Sequence, residues 1–322
     1  MSEVVSYFLS FLAAAIPAGM PLLYGTLGEI LTEKGGNLNL GVEGMMYMGA
    51  IFGFVGGYYA GSVLLMLLLA FAGGALGALI YAVLTVTLKA NQNVTGLTLT
   101  IFGTGLANFI VENIVLNSPS QTAKVSDELM ARITNAGIPM LKEIPVLGPM
   151  LFDTNIFVYL GIVIAVAMGL YLNHTRVGLN LRAIGENPAA ADAAGVNVTL
   201  YKYAHILVGG GVCGLGGAYV AFITCSGMWI QDCVGGLGWI AVALVIFASW
   251  SPYRALLGSL AFGALRVVQF YKPAFMRGIS DPLFSMMPFL VTAIVLVITS
   301  IRLRPERMQP KGCGVNYDRE ER

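Results

Sequence analysis

HTRVGLNLRAIGENPAAADAAGVNVTLYK, residues 174–202, is a polar island in an otherwise apolar half of the chain. It holds Arg176, Arg182, Glu186, Asn187, Pro188, Asp192 and Gly195. On either side lie uncharged runs, 154–173 and 203–231, each long enough for the roughly 20 residues a helix needs to cross a bilayer core. A polytopic chain that keeps such a segment in water between two spans uses it to touch something.

The rest of the composition agrees with that reading. Of 322 residues, 57% are hydrophobic and 11% charged, where a soluble domain carries about 25% charged residues; the mean hydropathy is +0.78. Further uncharged runs cover 4–28, 44–88, 90–111, 233–253 and 282–301. Run 44–88 is too long for one span and holds two, turning within Gly56–Gly61; run 255–271, interrupted by Arg266, adds another. The expectation is an all-α polytopic membrane protein of about nine transmembrane helices, built as a single domain over 1–322.

Lys and Arg in short loops set the orientation. Loop 174–202 carries Arg176, Arg182 and Lys202, and the tail 302–322 carries Arg302, Arg304, Arg307 and Lys311, so both are assigned to the cytoplasm. Four spans lie between them, an even number, so the assignments agree. Counting back puts 117–152 outside, Lys89 inside, 33–36 inside and the amino terminus outside. Lys124, Arg132, Lys142, Lys272 and Arg277 then fall outside, against the rule. Glu3 stands where a signal peptide has its basic region, so the first run reads as a span.

Pro17 and Pro21 suggest a kink in the first helix, and Gly35-Gly36 break the chain into an inner turn. Asn37-Leu38-Asn39-Leu40-Gly41-Val42-Glu43-Gly44 then puts two amides and a carboxylate at the start of a span. Such groups face a bundle interior or a water-filled cavity; equally, Asn39 caps a helix whose first turn holds Glu43. Asn91-Gln92-Asn93-Val94-Thr95 opens the fourth span with a similar polar run, where Asn91 can act as cap. Asn39, Glu43, Asn93 and Thr95 are therefore candidates for a substrate pathway. Gly53/Gly57, Gly73/Gly77 and Gly210/Gly214 have helix-packing spacing. Gly235-Gly236-Leu237-Gly238-Trp239 opens a later span much as 39–44 does, but running outside to inside. Helices one to four and six to nine would thus be inverted repeats about the fifth, an arrangement that puts a transported solute near the midplane.

The chain has no phosphate loop, no HExxH and no GxSxG, and His174 and His205 are isolated. No ATP-hydrolysing site, and no enzyme, is expected. Cys213, Cys225, Cys233 and Cys313 lack metal-ligand spacing; Cys225 and Cys233 either pair on the outer face or stand free. The net charge of +1 gives no reason to expect nucleic acid.

At residues 39–46, NLGVEGMM, and at 182–188, RAIGENP, followed by Ala190, Ala191 and Gly195, the chain resembles a known family. It is similar to the permease subunits of bacterial ABC importers for nucleosides and simple sugars, related to ribose and branched-chain amino-acid permeases. The resemblance covers nearly the whole chain. It implies a cytoplasmic coupling helix that docks in a groove of a separate ATPase, here Gly185, Glu186, Asn187, Pro188, Ala190, Ala191 and Gly195. The related Glu-Ala-Ala pattern is met except at Ala189, which stands where the Glu would be. Also implied are ATP and Mg on that ATPase with no cofactor on this chain, a second permease subunit forming a homo- or heterodimer, an extracytoplasmic substrate-binding protein, and a place in the bacterial inner membrane. The residues support the docking element independently: Asn187-Pro188 starts a helix, 189–194 favours it and Gly195 ends it. Nucleosides are favoured over ribose and other simple sugars. The rivals are an ion-coupled secondary transporter using Glu43, Glu112 and Arg266, and a membrane scaffold.

Overall fold

A computed structural model describes residues 3–118, 121–137, 153–271, 278, 280–301 and 308–319. Its elements are α-helices: α1 (Glu3–Lys34), α2 (Val42–Ala60), α3 (Val63–Ala82), α4 (Gln92–Asn117), α5 (Asp127–Thr134), α6 (Ile156–His174), α7 (Arg176–Glu186), α8 (Pro188–Ala193), α9 (Val198–Tyr219), α10 (Leu237–Phe247), α11 (Pro252–Val267) and α12 (Asp281–Ile301). Short π-helical turns, Val83–Thr87 and Val220–Thr224, extend α3 and α9.

The helix starts follow from local chemistry. Ser62, Asn91, Asn155 and Asn197 stand just before α3, α4, α6 and α9, and each side-chain oxygen accepts an N–H of its helix's first turn, satisfying donors that have no partner within the helix. Gly61, at φ +59°, ends α2 in the left-handed conformation, inside the turn expected at 56–61. α1 runs helically through Pro17 and Pro21 to Lys34 and ends at the turn expected at Gly35-Gly36; Glu29 and Glu33 belong to the helix and are buried.

Each long apolar run falls on a helix. Among the described residues, five stretches are long and apolar enough to cross a membrane by themselves: Tyr7–Lys34, Val63–Thr87, Gln92–Asn117, Ile156–His174 and Val198–Thr224. α10 has 11 residues and α11 has 16. α2 is nearly all buried, and its glycines let α9 come close. A Cβ on Gly49 would lie 2.0 Å from the Cα of Gly214, and one on Gly217 only 1.8 Å from the Met46 carbonyl oxygen. With no hydrophobic drive between helices in lipid, this close contact is what holds them. The exposed apolar residues, such as Ile101 and Phe109 on α4 and Leu64 and Leu68 on α3, lie on outward faces, as lipid contact requires.

At one end of α9, Val125 N donates to Gly227 O at 2.8 Å and Trp229 N to Ala123 O at 2.9 Å, tying the segment before α5 to the chain beyond α9. α5 is an amphipathic helix inside a stretch expected to be loop; residues 119–120 and 138–152 of that stretch, with Lys142, lie outside the described residues. At the other end α7, α8 and residues 308–319 pack together, so the two basic segments assigned to one side do meet. Arg302, Arg304, Arg307, Lys272 and Arg277 lie outside the described residues.

Candidate functional site: a helix junction inside the bundle and a polar helix pair at its end

Between Gly36 and α2 the backbone is non-helical, turning at Leu40-Gly41, and its polar groups are satisfied by side chains from other helices. Leu38 N donates to Gln92 Oε1 at 2.7 Å, Leu38 O accepts from the Tyr81 hydroxyl at 2.6 Å, and Asn39 N donates to Glu29 Oε1 at 2.9 Å. Non-helical backbone at membrane depth is tolerated only when protein surrounds it in this way. The Asn39 side chain accepts from Gly41 N at 2.9 Å and donates to Met45 Sδ at 3.5 Å. It shapes the turn into α2, while Gly41 takes the cap position.

Glu43, in the first turn of α2, serves a different helix. Its carboxylate accepts from Gly236 N at 2.7 Å and Gly238 N at 2.6 Å, two of the unpaired donors that open α10. An anion there also meets the positive end of the helix dipole. Gly238 has to be glycine, because a Cβ would lie 2.5 Å from the backbone of Glu43. Gly235 N donates to the Tyr47 hydroxyl at 3.3 Å. The openings at 39–44 and 235–239, expected at opposite faces of the membrane, are therefore in hydrogen-bond contact. The physical reason lies in the two non-helical approaches, 37–41 and 225–236, which bring each helix start inward.

Gly25 packs between Ala241 of α10 and Val42 of α2, and nine residues separate it from Lys34, a rise of about 14 Å along α1, so the junction lies well inside the length of that helix.

Of the other pathway candidates, Thr95 is buried, with its hydroxyl turned back to Asn91 O at 2.8 Å. Its neighbour Gly96 packs on Leu40 and Gly41. Asn93 is exposed and is not brought to Asn39 or Glu43. Glu29 and Glu33 were not foreseen. Both are buried; Glu33 accepts from the Trp250 indole N–H, and one Glu29 oxygen and both polar atoms of the Asn37 side chain are buried without a partner. Their signal in the sequence was an i, i+4 carboxylate pair at the end of an apolar run, read there as a helix end.

Glu43, Glu112 and Arg266 are not joined: Arg266 donates to Ala18 O at 3.1 Å, Glu112 is exposed, and among the described residues no ion pair links the three. His205 has both ring nitrogens occupied, by Tyr201 O at 2.6 Å and the Tyr171 hydroxyl at 2.7 Å, a structural arrangement. Cys225 and Cys233 are free thiols.

At the end of the bundle α7 starts on Thr175, whose hydroxyl accepts from Gly178 N at 3.0 Å. α8 starts on Asn187, whose side chain accepts from Ala190 N at 3.0 Å, with Pro188 in the first turn. It ends as Gly195 turns left-handed at φ +87° while Val196 N donates back to Ala191 O at 3.1 Å, the double closure seen at helix ends. Gly185 and Glu186 close α7, Asn187 is the joint, Pro188, Ala190 and Ala191 lie on α8 and Gly195 follows its end; Ala191 is buried, while Glu186 and Asn187 are exposed. Residues 308–319 lie against it: Gly312 N donates to Gly185 O at 2.8 Å and the Tyr317 hydroxyl to Asp192 Oδ2 at 2.8 Å. A groove of about 330 Å³ runs between residues 186–189 and 311–318.

The model of the branched-chain amino acid transport system permease component matches residues 11–297. A Haloferax volcanii protein provisionally named as a glucose ABC transporter permease is 33% identical, over 98% of this chain and 99% of its own length. The nucleoside ABC transporter permease protein NupC of Lactococcus lactis subsp. cremoris is 33% identical, and the guanosine ABC transporter permease protein NupQ of Bacillus subtilis 31%, each over 98% of both chains. No solved structure matches. A match over most of the chain, on an all-helical multi-pass membrane protein, makes this a member of the branched-chain amino acid transport system permease component family.

Proposed function

We propose that the chain is the transmembrane subunit of an ATP-driven importer for nucleosides, seated in the bacterial inner membrane. The observation that carries the reading is the likeness to two permeases named for nucleosides and guanosine over 98% of each chain. ATP and Mg belong to a separate ATPase that receives α8 and the residues around it; a second permease subunit and an extracytoplasmic binding protein complete the assembly. Closure of the ATPase pushes on Gly185–Gly195 and biases the bundle between states open to either side.

The junction at Glu43 supports the transport half of this reading. Two helix starts meeting inside the bundle, one running toward each end of it, are the feature that inverted repeats place at a solute site. On this proposal α1–α4, α6 and α9–α12 make nine crossings, with the repeats placed before and after α6. Asn39, Glu43, Asn93 and Thr95 remain the pathway candidates, with Glu43 and Asn39 nearest the junction.

A sugar is the second reading, favoured by the equally similar relative provisionally named for glucose. A nucleoside contains a pentose, so both solutes ask for hydroxyl partners; only the nucleoside adds a base. Uptake of labelled guanosine and glucose by vesicles holding the full assembly separates them. Guanosine uptake that excess glucose leaves unchanged is the expected result, and glucose uptake resistant to guanosine overturns the nucleoside assignment.

A further inference from the structure

Residues 308–319 make side-chain hydrogen bonds to two separate parts of the bundle. On one side, the Tyr317 hydroxyl and Arg319 Nε reach Asp192 of α8 at 2.8 and 3.2 Å. On the other, Asn316 Nδ2 donates to the carbonyls of Lys89 and Ala90 at 2.6 and 3.1 Å, and Asn316 Oδ1 accepts from Gln92 Nε2 at 2.9 Å. Lys89 and Asp318 add an ion pair. Gln92 is 3% exposed, and its other amide atom, Oε1, accepts from Leu38 N at 2.7 Å. Leu38 sits one residue before Asn39 in the non-helical approach to the Glu43 junction.

We propose that Gln92 and Asn316 are positioning residues, forming a relay that ties α8 to the non-helical segment 37–41. This rests on the reading of α8 as the docking element. Both ends of each amide are engaged, so neither side chain can follow one partner without pulling on the other. A displacement of α8 reaches Tyr317 through Asp192, passes along the backbone to Asn316, and arrives through Gln92 at the backbone of Leu38. The carboxy-terminal segment is then part of the coupling machinery, while Gln92 and Asn316 themselves need touch neither solute nor ATPase.

The test uses the full assembly in vesicles with Gln92→Ala, Asn316→Ala and the double variant, all normalised to permease present in the membrane. Each single change is expected to lower the maximal ATP-driven uptake rate about five- to tenfold, with the half-saturating concentration unchanged and the ATPase still co-purifying. The double variant is expected to be no worse than the poorer single, because residues acting through one link are not additive. Additive losses, wild-type rates in either single variant, or a loss confined to half-saturation overturns the relay. Failure of the wild-type permease to co-purify with the ATPase overturns the docking reading instead. Asn316 is on the surface segment, so its variant keeps the test decisive if Gln92→Ala does not fold.

Discussion

At the residue scale the most consequential side chain is Glu43, because it joins two helices by satisfying backbone donors that nothing else reaches. Glu43→Gln keeps one acceptor oxygen but turns an NH2 toward the second N–H, and it removes the charge at the dipole. Hydrogen bonds to a charged group contribute about 1.5–3 kcal/mol, so a lower thermal-unfolding temperature of the purified protein and slower uptake are expected; an unchanged melting curve would remove Glu43 from the junction's support. Cys313 offers a second test. Burial, and after it the nearby Glu33 and Glu29 carboxylates, pushes its thiol above the usual range. The protonated form is unreactive, and the thiolate appears only as pH rises past the raised value. In a variant keeping only Cys313, iodoacetamide should label slowly at about pH 8 and much faster in denaturant; rapid labelling of the native protein would mean that 308–319 does not lie against the bundle.

At the scale of elements, α8 has six residues and depends on its ends. An isolated helix of that length is marginal in water, and losing an Asn cap costs about 1 kcal/mol. Asn187→Ala and Gly195→Val should therefore weaken ATPase co-purification and uptake while membrane insertion persists, and Glu186→Lys should do the same through charge. Undiminished co-purification in all three would locate docking elsewhere. The crossing of α2 and α9 is a packing matter with no such tolerance. Gly217→Val meets the Met46 carbonyl, and since overpacking a well-filled core costs about 1–3 kcal/mol, little folded protein should be recovered from membranes. Normal recovery would show that the helices stand further apart.

At the scale of the whole molecule, the expected sidedness places Lys124 outside and Lys311 inside. These residues lie toward opposite ends of α9, near Met228 and Gly185 respectively. Single cysteines at each position in a cysteine-free background, treated with an impermeant reagent on intact cells, should label at 124 and not at 311. The reverse pattern would invert the molecule in the membrane.

The sequence by itself determined the helical, membrane-spanning class, the positions of the long runs, the turn at Gly61 and both ends of α8. Each of these depends on local quantities: charge-free length, an Asn before a helical stretch, a glycine after it. The small-residue spacings likewise foretold close helix contact, though not which helices meet. Only the tertiary structure decided that Glu43 caps α10, that Asn39 is spent on its own turn, that Asn93 faces away, and that Glu29 and Glu33 lie inside the bundle. Those outcomes depend on how far the non-helical stretches 37–41 and 225–236 carry a helix start inward, and a hydropathy pattern, which reports burial along one helix at a time, says nothing of contact between residues almost two hundred positions apart.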